Sequence, residues 1–246
     1  MDAADPATLL RAVLPLVQHA GRMIVDAYNR LQVVVGGSDE HLFQTCNPTL
    51  PAVAAAQDEQ HFDSKSCGID WVTETDKAVE QYLIQGIKAL FPSHRFLGEE
   101  TEETHTGVTD APTWIIDPID GTTNFVHGIP MCVVSVAHAV GAEAVLGIVY
   151  NPIQRELFTA VRGKGAFMNG KPIHVSHHVE YPSLVVGTNP GYQRTPERVD
   201  ILLGNLRALL LNGVAGIKMC GHAAMDMCYV ACGRTDCFFE KYIKVW

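Results

Sequence analysis

The sequence predicts a mixed α and β protein in two parts, and three patterns along its 246 residues indicate this fold class. A helical stripe of apolar side chains occupies residues 7–30. Short apolar runs separated by glycine-rich turns fill much of 95–175. Beyond them, strand-like and helix-like segments alternate, which is typical of α/β proteins. We therefore predict an α+β part with an antiparallel sheet over 1–180, followed by an α/β part over 181–246.

Two helices are predicted in the first part. The stripe of the first helix has the period of about 3.6 that is expected of a helix lying on a core. It consists of Leu10, Val13, Val17, Ala20, Ile24 and Ala27. Pro15 interrupts the stripe and lacks the N–H that a helix interior needs, so we expect a kink or a later start. The second helix is predicted to begin at 73–76, whose polar side chains suit capping, with an apolar face of Val79, Leu83, Ile87 and Leu90.

The remaining elements follow from short apolar runs and the turns between them. In the first part, the runs predict an antiparallel meander with strands at 95–98, 114–116, 131–140, 144–150, 156–161, 166–168 and 172–175. In the second part, they predict strands at 183–187, 213–220 and 236–240. A helix starting at Thr195, with Leu202, Leu206 and Leu209 on one face, and a helix over 223–231 lie between these strands. The run 31–64 has no periodicity and is predicted to be a loop insertion.

The composition restricts the function classes. A net charge of −9 disfavours nucleic acid and anionic membranes as partners, because both are bound mainly through surplus Lys and Arg. No stretch approaches the roughly 20 apolar residues of a membrane span, and we expect a cytoplasmic protein. Seven cysteines without a Cys-x-x-Cys pair favour reduced thiols. A zinc site at Cys220, His222, Cys228, Cys232 and Cys237 is disfavoured, because their spacing matches no common finger.

The strongest chemical signal is the segment 114–125, which reads Trp-Ile-Ile-Asp-Pro-Ile-Asp-Gly-Thr-Thr-Asn-Phe. A strand of buried type ends in Asp117 and Asp120, and two carboxylates in one pocket repel each other unless a hard divalent cation binds both. The Gly-Thr-Thr turn at 121–123 can present consecutive N–H groups to a phosphate. The two halves of this motif therefore indicate a metal ion and a phosphate.

Further acidic residues follow the strand at 95–98 and open the second helix. These are Glu99, Glu100 and Asp76, and in isolation such residues are usually a solvated edge or a helix cap. Together with 117–124, however, these segments occur in an order and at a spacing that resemble the inositol monophosphatase family. The resemblance continues through 147–150, 163–167 and 169–170. The element Asp-Pro-Ile-Asp-Gly-Thr-Thr-Asn is highly specific, since bisphosphate nucleotidases and fructose bisphosphatases share only its shorter Asp-Pro-x-Asp-Gly core.

This resemblance implies a layered αβαβα sandwich of the sugar-phosphatase type and a Mg²⁺-dependent hydrolysis of inositol monophosphate. It implies that Glu99, Asp117 and the carbonyl of Ile119 bind a first Mg²⁺, and that Asp117 and Asp120 bind a second. Lithium would inhibit by occupying the second position. The family also tends to form dimers, so a homodimer is expected.

The resemblance further implies catalytic and substrate-binding roles. Thr122, hydrogen-bonded to Asp76, would act with Glu99 to position and activate the attacking water. The phosphate and the inositol ring would be held by a larger set, namely Ile119, Asp120, Gly121, Thr122, Gly221, His222, Ala223 and Glu240. His222 stands where the family has a small hydroxyl residue, which puts the ring contacts in question.

The end of the sequence departs from the family pattern. In the family, the strand that holds the counterpart of Glu240 leads within seven residues to Trp-Asp, and that Asp completes the second metal site. Here the sequence stops at Trp246. We therefore expect an incomplete second metal site and an incomplete α/β part. Two alternatives stay open: a phosphatase of another sugar phosphate or nucleotide bisphosphate, and a catalytically impaired homologue that acts as a binding or dimerisation partner.

Overall fold

The computed structural model of the protein describes residues 5–35, 62–64, 71–100, 110–141, 143–192, 195–241 and 243. Helices α1 (Pro6–Val35) and α2 (Glu74–Leu90) pack against each other and against one face of a large sheet. A two-stranded antiparallel ribbon, β1 (Phe62–Ser64) and β2 (Trp71–Thr73), leads directly into α2. Among the described residues, no helix is long and apolar enough to span a bilayer.

Helix α1 confirms the predicted stripe with one change and overturns the predicted late start. Its fully buried positions are Leu9, Val13, Val17, Ala20, Ile24 and Ala27, so Leu9 takes the place expected for Leu10. The helix runs without interruption through Pro15. Pro15 lies on the exposed face, where the carbonyl that loses its N–H partner can bond to water instead. The cost of proline is therefore smaller here than in a buried turn.

Helix α2 begins as predicted, with a reciprocal cap between Thr73 and Asp76. The backbone N–H of Thr73 donates to Asp76 Oδ2 at 2.9 Å, and the N–H of Asp76 donates to Thr73 Oγ1 at 3.2 Å. Val79, Leu83 and Ile87 are fully buried, whereas Leu90 at the end of the helix is 49% exposed, contrary to its predicted place on the buried face. The cap fixes Asp76, which is itself 1% exposed, at the start of the helix.

The large sheet has seven strands that are neighbours in sequence order. They are β3 (Arg95–Gly98), β4 (Thr113–Asp120), β5 (Val133–Val140), β6 (Glu143–Asn151), β7 (Glu156–Val161), β8 (Gly165–Met168) and β9 (Lys171–Pro172). Strands β4 to β9 form the predicted antiparallel meander, but β3 pairs parallel to β4. A short helix, α3 (Thr122–Val126), lies between β4 and β5. The last predicted strand is shorter than expected, because pairing stops at Pro172.

Alternate residues of the sheet face two separate apolar cores. Trp114 and Val134 belong to the core that lies under α1 and α2. Val133 and Phe158 belong to a smaller core on the other face, together with Met225 from a later helix. The sheet is therefore covered on both sides, as the layered prediction requires.

The second part is a three-stranded parallel sheet with β10 (Val185–Thr188) in the middle. A short 3₁₀ turn (Tyr181–Ser183) precedes it. The other elements are α4 (Pro196–Leu211), β11 (Gly216–Lys218), α5 (Ala223–Ala231) and β12 (Cys237–Phe239). Because β11 and β12 flank β10 on opposite sides, right-handed crossovers place α4 and α5 on opposite faces of this sheet. Since α5 also packs on the large sheet through Met225, the predicted αβαβα order of layers is confirmed.

The described elements also correct two of the sequence predictions. The predicted insertion is shorter than 31–64, since 31–35 continue α1 and 62–64 form β1, while 36–61 lie outside the described residues. The predicted apolar face of α4 is only half-buried, and no residue of that helix is fully buried. The division of the chain at residue 180 stays a prediction.

A stacked group of aromatic and imidazole rings fills the core at the start of β4. The indole N–H of Trp114 donates to His94 Nδ1 at 3.0 Å, and the Trp114 ring lies 4.5 Å from that of His138 between centroids. His138 is 2% exposed, and neither of its ring nitrogens has a hydrogen-bond partner among the described residues. Burial, with a smaller contribution from His94, lowers the pKa of His138 to about 4.

We predict that His138→Leu reduces the acid sensitivity of the fold. In the unfolded chain a histidine has a pKa of about 6.5, so between pH 6.5 and 4 the unfolded state binds a proton that the folded state does not. The free energy of unfolding should therefore fall across this window, by up to roughly 3 kcal/mol from this residue alone. Urea unfolding at pH 7, 5.5 and 4.5 measures the loss.

The control for this prediction is His177, which is exposed and lies outside the ring cluster. His177→Leu should keep the acid loss of the parent protein. An equal loss in the parent and in His138→Leu would show that His138 does not limit stability at low pH.

Candidate active site

Three chain segments converge at one end of the large sheet. Strands β3 and β4 are parallel, so their carboxyl ends, which carry Glu99 and Asp120, lie at the same edge. The short helix α3 (Thr122–Val126) starts at this edge, directly after β4. Asp76 reaches the same place from the first turn of α2. The acidic residues singled out in the sequence therefore meet through topology rather than through sequence proximity.

Asp117 is the most strongly perturbed acidic group of the site, and Glu99 is its neighbour. The carboxyl groups of Asp117 and Glu99 lie close enough to interact electrostatically, and two such groups repel each other unless they share a proton or have a cation beside them. Asp117 Oδ1 is buried and has no hydrogen-bond partner among the described residues. Burial, and then the charges of Glu99, Asp120 and Asp76, raise the pKa of Asp117 well above its usual range. This arrangement is costly unless positive charge is supplied.

Asp120 lies beside this pair and also accepts hydrogen bonds from the start of helix α5. Its Oδ1 and Oδ2 accept hydrogen bonds from the backbone N–H groups of Ala223 (3.2 Å) and Ala224 (2.6 Å), at the start of α5. Burial raises the pKa of Asp120 to about 7, although these N–H groups and His222 act in the opposite direction. The ladder between β4 and β5 shifts register between Asp117 and Asp120, which is a bulge at the site. Asp120, at the end of β4 in the first part of the chain, thus caps α5 in the second part.

Thr122 connects Asp76 to the end of β4. Its hydroxyl group lies 3.2 Å from Asp76 Oδ1 and 3.0 Å from the carbonyl oxygen of Ile119, and it can donate to either. The other oxygen of Asp76 accepts from both the hydroxyl and the N–H group of Thr73. Asp76 is therefore held on both oxygens, and the Thr122 hydroxyl is oriented by acceptors on its protein side.

Gly121 allows the chain to turn from β4 into α3. Its φ of 91° lies in the left-handed region, and a Cβ there would sit 2.7 Å from the carbonyl oxygen of Met131 and 3.2 Å from that of Gly221. The first N–H groups of a helix have no acceptor within it, so this turn presents donors to the site. Only glycine permits both the turn and the close approach of the second half.

The loop before α5 is tied to the first half by Asn124 as well as by Asp120. Asn124 Nδ2 donates to the carbonyl oxygens of Met131 (2.7 Å) and Cys220 (2.8 Å). A Cβ at Gly221 would lie 3.2 Å from this amide nitrogen. The predicted substrate loop therefore packs directly on the motif that carries the acidic residues.

The other predicted substrate residues, Gly221, His222 and Glu240, differ in their exposure to solvent. Gly221 donates its N–H to the side chain of Asn189 at 2.9 Å. His222 is fully buried, with Nδ1 3.6 Å from Asp226 Oδ1, so its imidazole does not reach a substrate. Burial alone would lower the pKa of His222, but Asp226 and Asp120 outweigh it and raise that pKa. Glu240 follows β12 and is half-buried.

Among the described residues, no group of three or more His, Cys, Asp and Glu side chains is placed so that it could hold a metal ion. The donors present nevertheless suit a hard cation such as Mg²⁺, which prefers oxygen ligands. They are the paired carboxyls of Glu99 and Asp117, the nearby carboxyl of Asp120 and the carbonyl of Ile119. The buried Asp117 Oδ1 without a donor is the feature that a cation would satisfy.

Comparison with known proteins decides the family. The model of the inositol monophosphatase family matches residues 5–246. The chain belongs to the inositol monophosphatase family. It is 47% identical over 183 residues to inositol monophosphatase 3 of Solanum lycopersicum. The alignment covers 74% of this chain and 68% of the tomato protein. It is 44% identical over 194 residues to inositol monophosphatase 1 of Bos taurus, which covers 78% of this chain and 70% of the bovine protein.

Solved structures of similar fold support the same assignment. The extragenic suppressor protein suhB of Bartonella henselae superposes with a TM-score of 0.78 at 32% identity, covering 97% of this chain and 80% of that one. The Thermotoga maritima IMPase superposes with a TM-score of 0.74 at 28% identity, covering 96% and 77%. The chain is therefore a phosphoric monoester hydrolase of this family, and the resemblance found in the sequence is confirmed.

Two residues that support the site in this family member were not assigned a role from sequence. Glu80 is fully buried, and its Oε2 accepts the N–H of Glu100 at 2.8 Å. A Cβ at Gly98 would lie 2.5 Å from the Glu80 carboxyl, so a larger residue there would require this carboxyl to move. Asn189 was also missed, although a polar residue at the carboxyl end of a parallel strand is a usual sign of a binding edge. Glu80 gave no such signal, since only the fold buries it.

We predict that Gly121→Ala destabilises the protein by about 2 to 4 kcal/mol. A left-handed alanine costs about 1 kcal/mol, and the overlap with the Met131 carbonyl requires the backbone to move. Urea unfolding gives the free energies. The matched control is Gly163→Ala, because Gly163 has a φ of 73° but nothing within 4 Å of its Cβ position. Equal losses in the two variants would contradict the close approach at Gly121.

Proposed function

We propose that this chain hydrolyses inositol monophosphate to inositol and inorganic phosphate, with Mg²⁺ as its cofactor. The observation that carries the proposal is the buried Asp117 Oδ1 beside Glu99, which needs positive charge at the place where the turn at Gly121 begins a helix and leaves its first N–H groups without helical acceptors. Family membership over residues 5–246 supports the same chemistry. A related staphylococcal IMPase, 26% identical to this chain, has been solved in complex with products.

The first Mg²⁺ would be held by Glu99, Asp117 and the carbonyl of Ile119, and the second by Asp117 and Asp120. When bound, such ions neutralise the phosphate dianion, make a water more acidic and stabilise the departing alkoxide. The Ile119 carbonyl accepts from Thr122 at 3.0 Å, which leaves its second lone pair available. Li⁺ would compete for the second position. Residues 244–246, near which the family completes that position, lie outside the described residues.

The protein would orient the attacking water through Thr122 and Glu99. While the Thr122 hydroxyl donates its only hydrogen to Asp76 or Ile119, its lone pairs accept a hydrogen from the water. Glu99 would accept the other hydrogen and take up the proton as the water attacks phosphorus. Asp76 does not touch the water and acts by fixing the direction of the Thr122 hydroxyl.

The phosphate and the ring would occupy opposite sides of this water. Backbone N–H groups of Gly121 and Thr122, with the adjoining turn, would bind phosphate oxygens. On the ring side, Glu240 would accept hydroxyl groups of the inositol. Gly221 and Ala223 would line the ring, but their N–H groups already donate to Asn189 and Asp120, so shape rather than new hydrogen bonds would be their contribution.

We predict that the protein releases phosphate from inositol 1-phosphate only with Mg²⁺ present, and that Asp117→Asn lowers kcat/KM at least about 100-fold. The substitution removes the charge shared by both metal positions, so Mg²⁺ binding in titration calorimetry should weaken as well. A panel with other sugar phosphates and a nucleotide bisphosphate, assayed in parallel, identifies the preferred ester.

Asp200→Asn on the exposed surface of α4 makes the same chemical change away from the site and serves as the control. It should leave both turnover and Mg²⁺ binding unchanged. Phosphate release that survives a chelator, or that Asp117→Asn leaves intact, would overturn the proposed mechanism. A preference for another ester would overturn the substrate alone.

We predict that Thr122→Val lowers kcat by about 100- to 1000-fold with a smaller effect on KM, because it keeps the shape but removes the hydroxyl that orients the water. Thr122→Ser retains the hydroxyl and should stay within about tenfold of the parent protein. Steady-state kinetics with inositol 1-phosphate, and thermal midpoints that confirm folding, provide the measurement. Equal losses in the two variants would assign Thr122 a packing role instead.

A further inference from the structure

Asn189 lies at the centre of the proposed ring side of the site. It follows β10, the middle strand of the parallel sheet, and is 8% exposed. Its Nδ2 donates to Asp226 Oδ2 at 3.0 Å and to Glu240 Oε2 at 3.1 Å. Its Oδ1 accepts the N–H of Gly221 at 2.9 Å. One side chain therefore joins the ends of β10 and β12 to the loop that precedes α5.

The two N–H groups of this amide separate two carboxylates. Asp226 is 2% exposed and Glu240 is half-buried, so neither charge is well solvated. Burial and the charge of Asp226 raise the pKa of Glu240, whereas the hydrogen bond from Asn189 lowers it. Asp226 has His222 as a further neighbour, at 3.6 Å. Asn189 is thus a neutral donor that lets both acidic groups approach without direct contact.

The bond to Asn189 also determines which part of Glu240 can face a ligand. Because Oε2 accepts from the amide, the carboxylate is held in one orientation, and Oε1 is left to accept hydroxyl groups. The same amide fixes Gly221, whose loop is held at its other end by the bonds from Ala223 and Ala224 to Asp120. The ring side of the site is therefore aligned with its acidic side through Asn189.

We infer that Asn189 is a positioning residue that sets the preference of this site for an alcohol carrying several hydroxyl groups. The inference rests on the proposed function, and it assigns the preference to the amide donors rather than to the metal or phosphate contacts. A site built to accept hydroxyl groups discriminates strongly against esters that lack them, provided its acceptors are held in place. Loss of the Asn189 donors should therefore act on the alcohol and not on the phosphate.

The test compares two esters with the same phosphate group. Inositol 1-phosphate presents ring hydroxyls, and p-nitrophenyl phosphate presents none. Asn189→Leu removes all three hydrogen bonds, and Asn189→Asp keeps the acceptor for Gly221 but replaces the donors with a third carboxylate. We expect both variants to raise KM for inositol 1-phosphate at least about tenfold, with kcat within about threefold. The kcat/KM for p-nitrophenyl phosphate should change far less.

Asn212→Ala is the control, because Asn212 caps the end of α4 with a bond to the carbonyl of Ala208 and lies outside the network around Asn189. It should preserve the ratio of the two kcat/KM values. An equal fall for both esters in Asn189→Leu, or an unchanged ratio in Asn189→Asp, would overturn the inference. Thermal midpoints of each variant exclude unfolding as the cause of a loss.

A binding measurement separates this inference from the proposed function. Saturation-transfer NMR with free inositol reports contacts to the alcohol without turnover. If the parent protein hydrolyses neither ester with Mg²⁺, the proposed function fails, and the NMR signal then decides the role of Asn189. A signal that Asn189→Leu abolishes supports the inference, whereas no signal in the parent protein overturns it.

Discussion

The mutual repulsion of carboxylates in a confined space is the constraint on which the rest of the site depends. Asp117 lies beside Glu99, and the charges of Glu99, Asp120 and Asp76 all act to raise its pKa. A fold selected only for stability would not gather these groups, since an unpaired buried charge costs several kcal/mol. The cluster is therefore best understood as a place prepared for external cations, and through them for a phosphate ester.

This constraint is met by joining the two halves of the molecule at the acidic cluster. Asp120 belongs to β4 yet caps α5, Asn124 belongs to α3 yet binds the carbonyl of Cys220, and Gly121 admits the loop at Gly221. The geometry of the phosphate side is thereby coupled to that of the ring side. A change in one part should therefore alter the geometry of the other, because these contacts join the two parts directly.

The prediction of elements from sequence succeeded where a periodic pattern coincided with burial. The capped start of α2 at Thr73 and the extent of α5 follow directly from side-chain chemistry. Of the two alternatives predicted for Pro15, a kink or a late start, the late start is excluded, because the exposed face of α1 tolerates the lost hydrogen bond. The half-buried face of α4 departed from expectation for a related reason: an apolar stripe predicts which side of a helix can be buried, not how much surface other elements cover.

The sequence by itself determined the family, the layered fold and the identity of the acidic residues, because a specific motif and regular periodicities are written in consecutive residues. The parallel pairing of β3 with β4, which brings Glu99 to Asp117, was decided only in three dimensions. So were the burial of Glu80, the exclusion of the His222 ring from the site and the central place of Asn189. These features depend on contacts between residues far apart in the chain, and such contacts leave no local pattern.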